Sequence, residues 1–255
     1  MSGFAEHASE LLARDPLLAL VVGFLNANER NRWLARLALG RELRQVALSI
    51  REQSVVSIKL HWWREELERA RSNAPLHPIT ALLTPLPLTE NELDDAINAL
   101  HLLSSRLSHE SADALATLLR PLAVLERKLF AVSASADFDL ALAGLNALHD
   151  MRSALAAERV LLPLDLLSAA GLSRSDLSDP AKQPQVATLI AQIAGRLRPG
   201  LAAQATDRSG ALWLDFLALR ALQLTRSPQA VLHNGAPPLP LRAAIKLWLS
   251  ARRHP

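Results

Sequence analysis

Apolar residues recur every three or four positions along almost the whole chain, and this is the period of an amphipathic α-helix. The segment Asn28–Ser54 shows the pattern clearly. Its apolar stripe consists of Trp33, Leu34, Leu37, Leu43, Val46 and Ile50. Runs in which β-branched residues alternate with polar ones, which are typical of half-buried strands, are absent from the sequence. The sequence therefore predicts an all-α fold.

Prolines and capping residues predict where the helices begin and end. Thr89 and Glu92 have the spacing of a capping box, which predicts a helix from this point to about Leu107. A second helix is expected over Ser57–Ser72, and four prolines between the two predict a broken connection. Later helices are predicted over Asp113–Val132, Asp137–Glu158, Pro184–Leu201, Ala211–Thr225 and Pro240–Arg253.

The length and composition favour one compact unit. The chain has 255 residues, half of them hydrophobic, which is enough for a substantial core. It has no cysteine, so a disulfide framework, a thiol nucleophile and a thiolate metal site are all excluded. The polar stretch Ser173–Gln185 is interpreted as a bend within one bundle. We therefore expect a single domain over residues 1–255.

Charge and hydropathy exclude several classes of protein. The net charge is only +3, and acids are interspersed with the basic residues, so no basic stripe for nucleic acid is visible. The N-terminus lacks the basic start and apolar core of a signal peptide. The longest apolar run, Pro16–Leu25, is about half the roughly 20 residues that a membrane-spanning helix needs. We expect a cytoplasmic protein without a transmembrane segment, for which peripheral contact with the inner face of a membrane stays open.

The segment Asn146–Leu172 reads NALHDMRSALAAERVLLPLDLLSAAGL. Its spacing resembles the second metal-binding motif of squalene and phytoene synthases. The matching residues are Asn146, Leu148, Asp150, Arg159, Leu162, Pro163 and Asp165. The departures fall on the residues that carry the chemistry, because Ser153 and Ala154 stand where the family has an acidic pair. His149 replaces an arginine and Leu161 replaces a tyrosine.

The first motif of the family corresponds to Leu37–Leu48, which reads LALGRELRQVAL. Arg41 matches the family's arginine. The acidic positions of the family fall on Arg44, Gln45 and Leu48, and the nearest acid is Glu42. The resemblance implies substrates that are prenyl diphosphates held by Mg²⁺, a cation usually bound through one or two carboxylates plus phosphates. An arginine at a ligand position would repel the metal as well as remove the ligand.

A third point of resemblance lies between the two motifs. The run His61–Leu67, which contains Trp62 and Trp63, and the pair His77-Pro78 are similar to segments of one branch of the family. That branch includes the mitochondrial complex I assembly factor with a squalene/phytoene-synthase-like domain, whose members also lack the aspartate-rich motifs. Adjacent helical residues point about 100° apart, so we expect one tryptophan in the core and the other near a groove or surface.

The resemblance implies an isoprenoid-synthase-like bundle around a central cavity, with Arg41, Glu42, Trp62, Trp63, Asn146 and Asp150 near it. The resulting hypothesis is a non-catalytic protein that binds a protein partner or an apolar lipid or isoprenoid, for instance in assembling a membrane complex. It needs no cofactor and no metal. The substrate-binding candidates are Arg41, Arg159, Trp62 and Trp63.

The alternative is an active transferase that condenses two prenyl diphosphates head to head with Mg²⁺. It would use Asp150, Asn146 and Glu42 as remnants of the catalytic set, with Asp150 as the metal ligand and Arg159 on phosphate. Four or more carboxylates converging on the cavity would favour the enzyme, and arginine or alanine in their places would favour the non-catalytic protein. A third reading, a helical scaffold without a small ligand, predicts a bundle centre filled with bulky side chains.

Overall fold

The computed structural model describes residues 2–231, 244–245 and 247–249. Within these residues nearly all regular structure is helical, which confirms the predicted all-α fold. The predicted last helix, Pro240–Arg253, lies mostly outside the described residues. The helices are α1 (Ser2–Arg14), α2 (Pro16–Val22), α3 (Ala27–Ser49), α4 (Gln53–Arg71), α5 (Pro78–Ala81), α6 (Glu90–Ser105), α7 (Ala112–Leu129), α8 (Ala136–Ala156), α9 (Leu164–Ala169), α10 (Gln183–Leu197) and α11 (Arg208–Arg226).

Two very short strands depart from the purely helical expectation. They are β1 (Val132–Ser133) and β2 (Gln204–Ala205), and they pair antiparallel. Each covers only two residues, which is too short for an alternating pattern to show in the sequence. The pair joins the turn after α7 to the turn before α11.

Several helix ends follow the capping rules. Thr89 and Glu92 form both bonds of the predicted capping box at the start of α6. Asn26 and Glu29 form a second capping box at the start of α3. Gly171, after α9, has a positive φ of 66°, a conformation that favours glycine. Capping side chains and a glycine close to the helix ends therefore determine these helix boundaries.

The end of α3 was predicted wrongly. The helix expected to run to Ser54 ends at Ser49, and the chain turns over residues 50–52 before α4 begins. No glycine or proline marks this break. Arg159 donates to the Ile50 carbonyl (3.4 Å), and Arg51 donates to the Ala156 carbonyl (3.3 Å). The break is held by contacts with residues more than 100 positions away in the chain, which local sequence patterns cannot show.

The core is a cluster of leucines and aromatic rings at the centre of the bundle. Helix α8 packs against α7, α3 and α10, α6 packs against α4 and α7, and α10 packs against α11. Phe130 and Trp213 stack with ring centroids 4.5 Å apart, and Trp33 packs edge-on against Phe130 at 5.5 Å. These packed helices place one face of α3 and one face of α8 opposite each other.

The tryptophan segment is held by a buried carboxylate. Glu66, on α4, is fully buried and accepts hydrogen bonds from the backbone N–H groups of Leu76 (2.9 Å) and His77 (2.8 Å). The Thr80 hydroxyl and Arg69 Nε (3.0 Å) also donate to it. Burial alone would raise the pKa of Glu66, but the hydrogen bonds from Thr80, His77, Leu76 and Arg69 outweigh it and lower the pKa. The residues around the His77-Pro78 pair therefore form a structural turn anchored on α4.

Replacing Glu66 with alanine should destabilise the protein by about 3–5 kcal/mol, because buried donors and a neighbouring arginine lose their partner. Glu66→Gln keeps one carbonyl oxygen and should lose less. Glu65→Ala, at the neighbouring half-exposed position, should change stability by less than about 1 kcal/mol. Urea unfolding measures all three, and equal losses for E66A and E65A would contradict this account of the turn.

Candidate functional site

The candidate site lies where α3, α7 and α8 meet. Helix α3 contributes Arg41 and Arg44, α7 contributes Glu126, and α8 contributes Asn146 and Asp150. Asn146 and Asp150 are four positions apart, so they share one face of α8. That face is turned toward α3, and the two segments that carry the family resemblance therefore lie opposite each other.

Arg44 occupies the space between two carboxylates. Its Nε donates to Asp150 Oδ2 at 2.5 Å, and its Nη1 donates to Glu126 Oε1. All three side chains are at least nine-tenths buried. Burial alone would lower the pKa of Arg44, but Asp150 and Glu126 outweigh it and raise the pKa above its ordinary value. One guanidinium thus bridges α3 to both α7 and α8.

Glu126 is a member of this site that the sequence did not reveal. It lies on α7, outside both motif-like segments, and Asn146 Nδ2 donates to its second oxygen at 3.0 Å. A Cβ atom at position 40 of α3 would overlap the Glu126 carboxylate, so Gly40 provides the space for it. A glycine in the middle of a helix was the one signal that could have suggested a close approach there.

Arg41 and His149 form the second part of the site. Arg41 Nη2 lies 3.1 Å from His149 Nε2. Burial, together with the nearby charges of Arg41, Arg220 and Arg44, lowers the pKa of His149 well below 6.5. The imidazole is therefore neutral near pH 7 and can accept a hydrogen bond from Arg41. Burial also lowers the pKa of Arg41.

A third ion pair completes the site. Arg220, on α11, pairs with Asp15, which also caps α2 by accepting from the Leu18 N–H at 3.1 Å. The six charged side chains described so far balance, with three arginines and three carboxylates. We name this group the ion cluster: Asp15, Arg41, Arg44, Glu126, Asp150 and Arg220.

A small cavity of about 50 Å³ opens beside the ion cluster. Leucines from α1, α2, α3 and α8, with Trp213 and Phe216 of α11, form the rest of its wall. Sites for small molecules commonly measure about 300–1,000 Å³. A volume of about 50 Å³ has room for only a few water molecules, so a prenyl chain does not fit beside the ion cluster in this conformation.

The ion cluster does not suit a magnesium ion. Magnesium requires near-octahedral oxygen ligands, and the facing carboxylates Glu126 and Asp150 are already bound to a guanidinium placed between them. Over the part of the chain that the structure describes, no group of three or more metal-binding side chains is found. The Mg²⁺ ion that the family resemblance implies therefore does not fit the side chains present at this site.

The structure brings together only some of the predicted site residues. Arg41 and Asn146 line the cavity, and Asp150 lies directly behind it, bound to Arg44. Glu42 is half-buried on α3 and does not line the cavity. Arg159 is buried elsewhere, where it donates to the carbonyls of Arg106 (3.0 Å) and Ile50. Its guanidinium joins two helix ends in this structure.

The two tryptophans lie on α4, away from the ion cluster. Trp63 is 5% exposed and Trp62 is 39% exposed, in line with the expected division between core and surface. Both rings pack edge-on against His77, with centroids 5.1–5.8 Å apart. Neither lines the cavity beside the ion cluster. Their role in binding a substrate stays a prediction.

No protein-family model matches this sequence, and a search of curated proteins also finds no match. Solved structures show the fold. A dehydrosqualene synthase crystallised with a ligand superposes with a TM-score of 0.69 at 12% identity, over 98% of this chain and 95% of that one. Squalene synthase HpnC from Alicyclobacillus acidocaldarius superposes with a TM-score of 0.55 at 17% identity, over 90% and 92% of the two chains.

These likenesses confirm the predicted isoprenoid-synthase-like helical bundle. At such low identities they establish the fold alone. The predicted kinship with the assembly-factor branch stays a prediction. Among the described helices, none has the length and apolar character required to cross a bilayer.

Stability should fall as the pH drops below about 6.5, because an unfolded histidine binds a proton there and His149 in the folded state does not. Burial, with Arg106 nearby, also lowers the pKa of His109 to about 4, so this residue acts in the same direction down to that pH. Each histidine should contribute about 1.4 kcal/mol per pH unit. Urea unfolding between about pH 7 and pH 5 measures this slope.

The matched variant is His149→Gln, which keeps a side-chain oxygen for Arg41 and cannot titrate. Its pH slope should be shallower than that of the wild type by about 1.4 kcal/mol per unit. An unchanged slope would mean that His149 is protonated in the folded protein.

Proposed function

We propose that this protein is a non-catalytic protein with a squalene/phytoene-synthase-like fold, which acts by binding and not by prenyl transfer. The observation that carries the proposal is the position of Arg44, whose guanidinium bridges the carboxylates of Glu126 and Asp150. In a magnesium-dependent transferase, facing carboxylates must be available to the metal. In this protein the guanidinium of Arg44 pairs with both carboxylates.

The charge balance supports the same conclusion. The three carboxylates of the ion cluster are fewer than the four or more expected of an active site, and two arginines pair with all three of them. Arg41 supplies the remaining positive charge. A diphosphate brings several negative charges. Of the three arginines in the ion cluster, only Arg41 could pair with these charges without breaking an ion pair, and Arg41 is already in contact with His149. Binding of a diphosphate beside the ion cluster would therefore have an unfavourable electrostatic free energy.

The binding function needs a surface or cavity for a partner. We propose a protein partner or an apolar lipid or isoprenoid as the bound species, and assembly of a membrane complex as the process. Ile58 (70% exposed), Trp62 and Leu76 (73% exposed) are large apolar side chains on α4 and the following loop, and exposed groups of this kind often mark contact surfaces. The proposed location is cytoplasmic, with peripheral contact at the inner face of a membrane, and no cofactor is required.

The alternative, an active head-to-head prenyl transferase, is tested directly. Purified protein is titrated with farnesyl diphosphate by calorimetry, with and without Mg²⁺, and the mixture is then analysed for hydrocarbon product. We expect no magnesium-linked binding and no product. Magnesium-dependent turnover would overturn the proposal, and Asp150→Asn would then be the first variant to assay.

Removal of the Arg44 guanidinium should expose the two carboxylates. Arg44→Ala should destabilise the protein by about 3–5 kcal/mol, because it leaves buried charges without a partner. Millimolar Mg²⁺ or Mn²⁺ should then raise the melting temperature of R44A and leave that of the wild type unchanged, since a ligand that binds only the folded state stabilises it. Differential scanning fluorimetry measures both.

The matched control is Arg41→Ala, which removes a guanidinium from the same cavity and leaves the Arg44 ion pairs in place. Its melting temperature should not respond to the divalent cation. An equal response of R41A and R44A would show that the cation binds elsewhere, and it would remove the assignment of Arg44 as the substitute for a metal.

A further inference from the structure

A second cavity of about 310 Å³ lies between α7, α8, α10 and the segment that leads into α9. Its volume is six times that of the cavity beside the ion cluster, and it falls at the lower end of the range for small-molecule sites. Its walls are mostly aliphatic. They include Leu115, Leu119, Leu140, Leu148, Leu162 and Ile193.

This cavity is on the opposite face of α8 from the ion cluster. Successive helical residues are rotated by about 100°. Leu140, Gly144 and Leu148, which are four positions apart, line the second cavity. Asn146 and Asp150 are rotated from this line by roughly half a turn, and they face α3. The two sites therefore share a helix and are separated by its full width.

Close contacts between backbone and side chains form the wall of the cavity. A Cβ atom at Gly144 would come within 2.9 Å of the Leu197 side chain, and one at Gly200 would come within 2.8 Å of the Ala141 side chain. The walls are thus tightly packed at these two points. The space between them belongs to a well-packed structure and does not arise from poor packing of the bundle.

The polar side chains of the cavity lie at its exposed edge. Asp113 and Asp137 are in the first turns of α7 and α8, and Arg196 is in the last turn of α10. All three are exposed. Two carboxylates and one guanidinium give the opening a net negative charge, which disfavours an anionic head group such as a phosphate or diphosphate. The aliphatic interior offers no charge to pair with a buried ionic group.

We infer that this cavity binds the hydrocarbon chain of an uncharged single-chain lipid, such as a long-chain alcohol. The chain occupies the aliphatic interior, and the hydroxyl stays at the opening near Asp113, Asp137 and Arg196. The inference rests on the proposed binding function for its biological meaning. It assigns the ligand to the face of α8 that is turned toward α7 and α10, away from the face where the ion cluster lies.

The test uses the uncharged fluorescent probe N-phenyl-1-naphthylamine with the full chain. Its fluorescence should rise on binding, and 1-dodecanol should displace it at concentrations at least tenfold lower than dodecyl phosphate. Ala116 lines the cavity and is only half-buried, so Ala116→Phe should fill the cavity with little strain and weaken probe binding at least tenfold.

The matched control is Ala114→Phe on the same helix, at an exposed position that does not line the cavity. It should bind the probe like the wild type. Arg41→Ala, within the ion cluster, should also leave probe binding unchanged. If A116F does not fold, Leu140→Trp fills the same cavity from the opposite wall.

Probe binding that survives both cavity-filling variants would overturn the assignment, as would absence of binding to the wild type. Preference for dodecyl phosphate over dodecanol would also overturn it, because the opening would then accept an anionic head group that its net negative charge should disfavour. These outcomes are independent of the search for a prenyl-transfer product. An active transferase would reject the proposed function without changing the probe result.

Discussion

The bundle depends on a single guanidinium buried between two carboxylates. Arg44 on α3 connects to Glu126 on α7 and Asp150 on α8, so α3 meets two helices that are distant from it in sequence at one side chain. A buried charge without a partner is strongly destabilising, whereas the same charge with complete hydrogen bonding can be tolerated. The positions of these helices are consequently tied to the ionic contacts as well as to the leucine core.

An arginine and a magnesium ion can each neutralise facing carboxylates, but they differ in what they offer to a ligand. A magnesium ion comes from solution, keeps several water molecules and takes phosphate oxygens as further ligands. A guanidinium is covalently attached, planar, and directs its donors in fixed directions. In this chain, Arg44 links the facing helices, and its donors are directed at Glu126 and Asp150 where a metal would offer coordination sites.

The sequence could predict the helices because apolar periodicity and caps are local features. The capping box at Thr89 was recognised in this way. The end of α3 was missed because distant contacts from Arg159 and Arg51 stabilise the turn at residue 50. The ion cluster was predicted in part. Arg41, Arg44 and Asp150 lie in recognisable segments, whereas Asp15, Glu126 and Arg220 come from parts of the chain that carry no motif and meet the others only in the folded state.

The two faces of α8 differ in the chemistry that they can support. Prenyl transfer with magnesium would require carboxylates that are open to the metal, whereas the carboxylate on the face with Asn146 and Asp150 is bound to Arg44. Binding of a hydrocarbon chain requires only apolar surface that can be removed from water. The face with Leu140, Gly144 and Leu148 provides such surface and contains no residue of the ion cluster. Since the two requirements involve opposite sides of one helix, a change on one side places no direct physical constraint on the other.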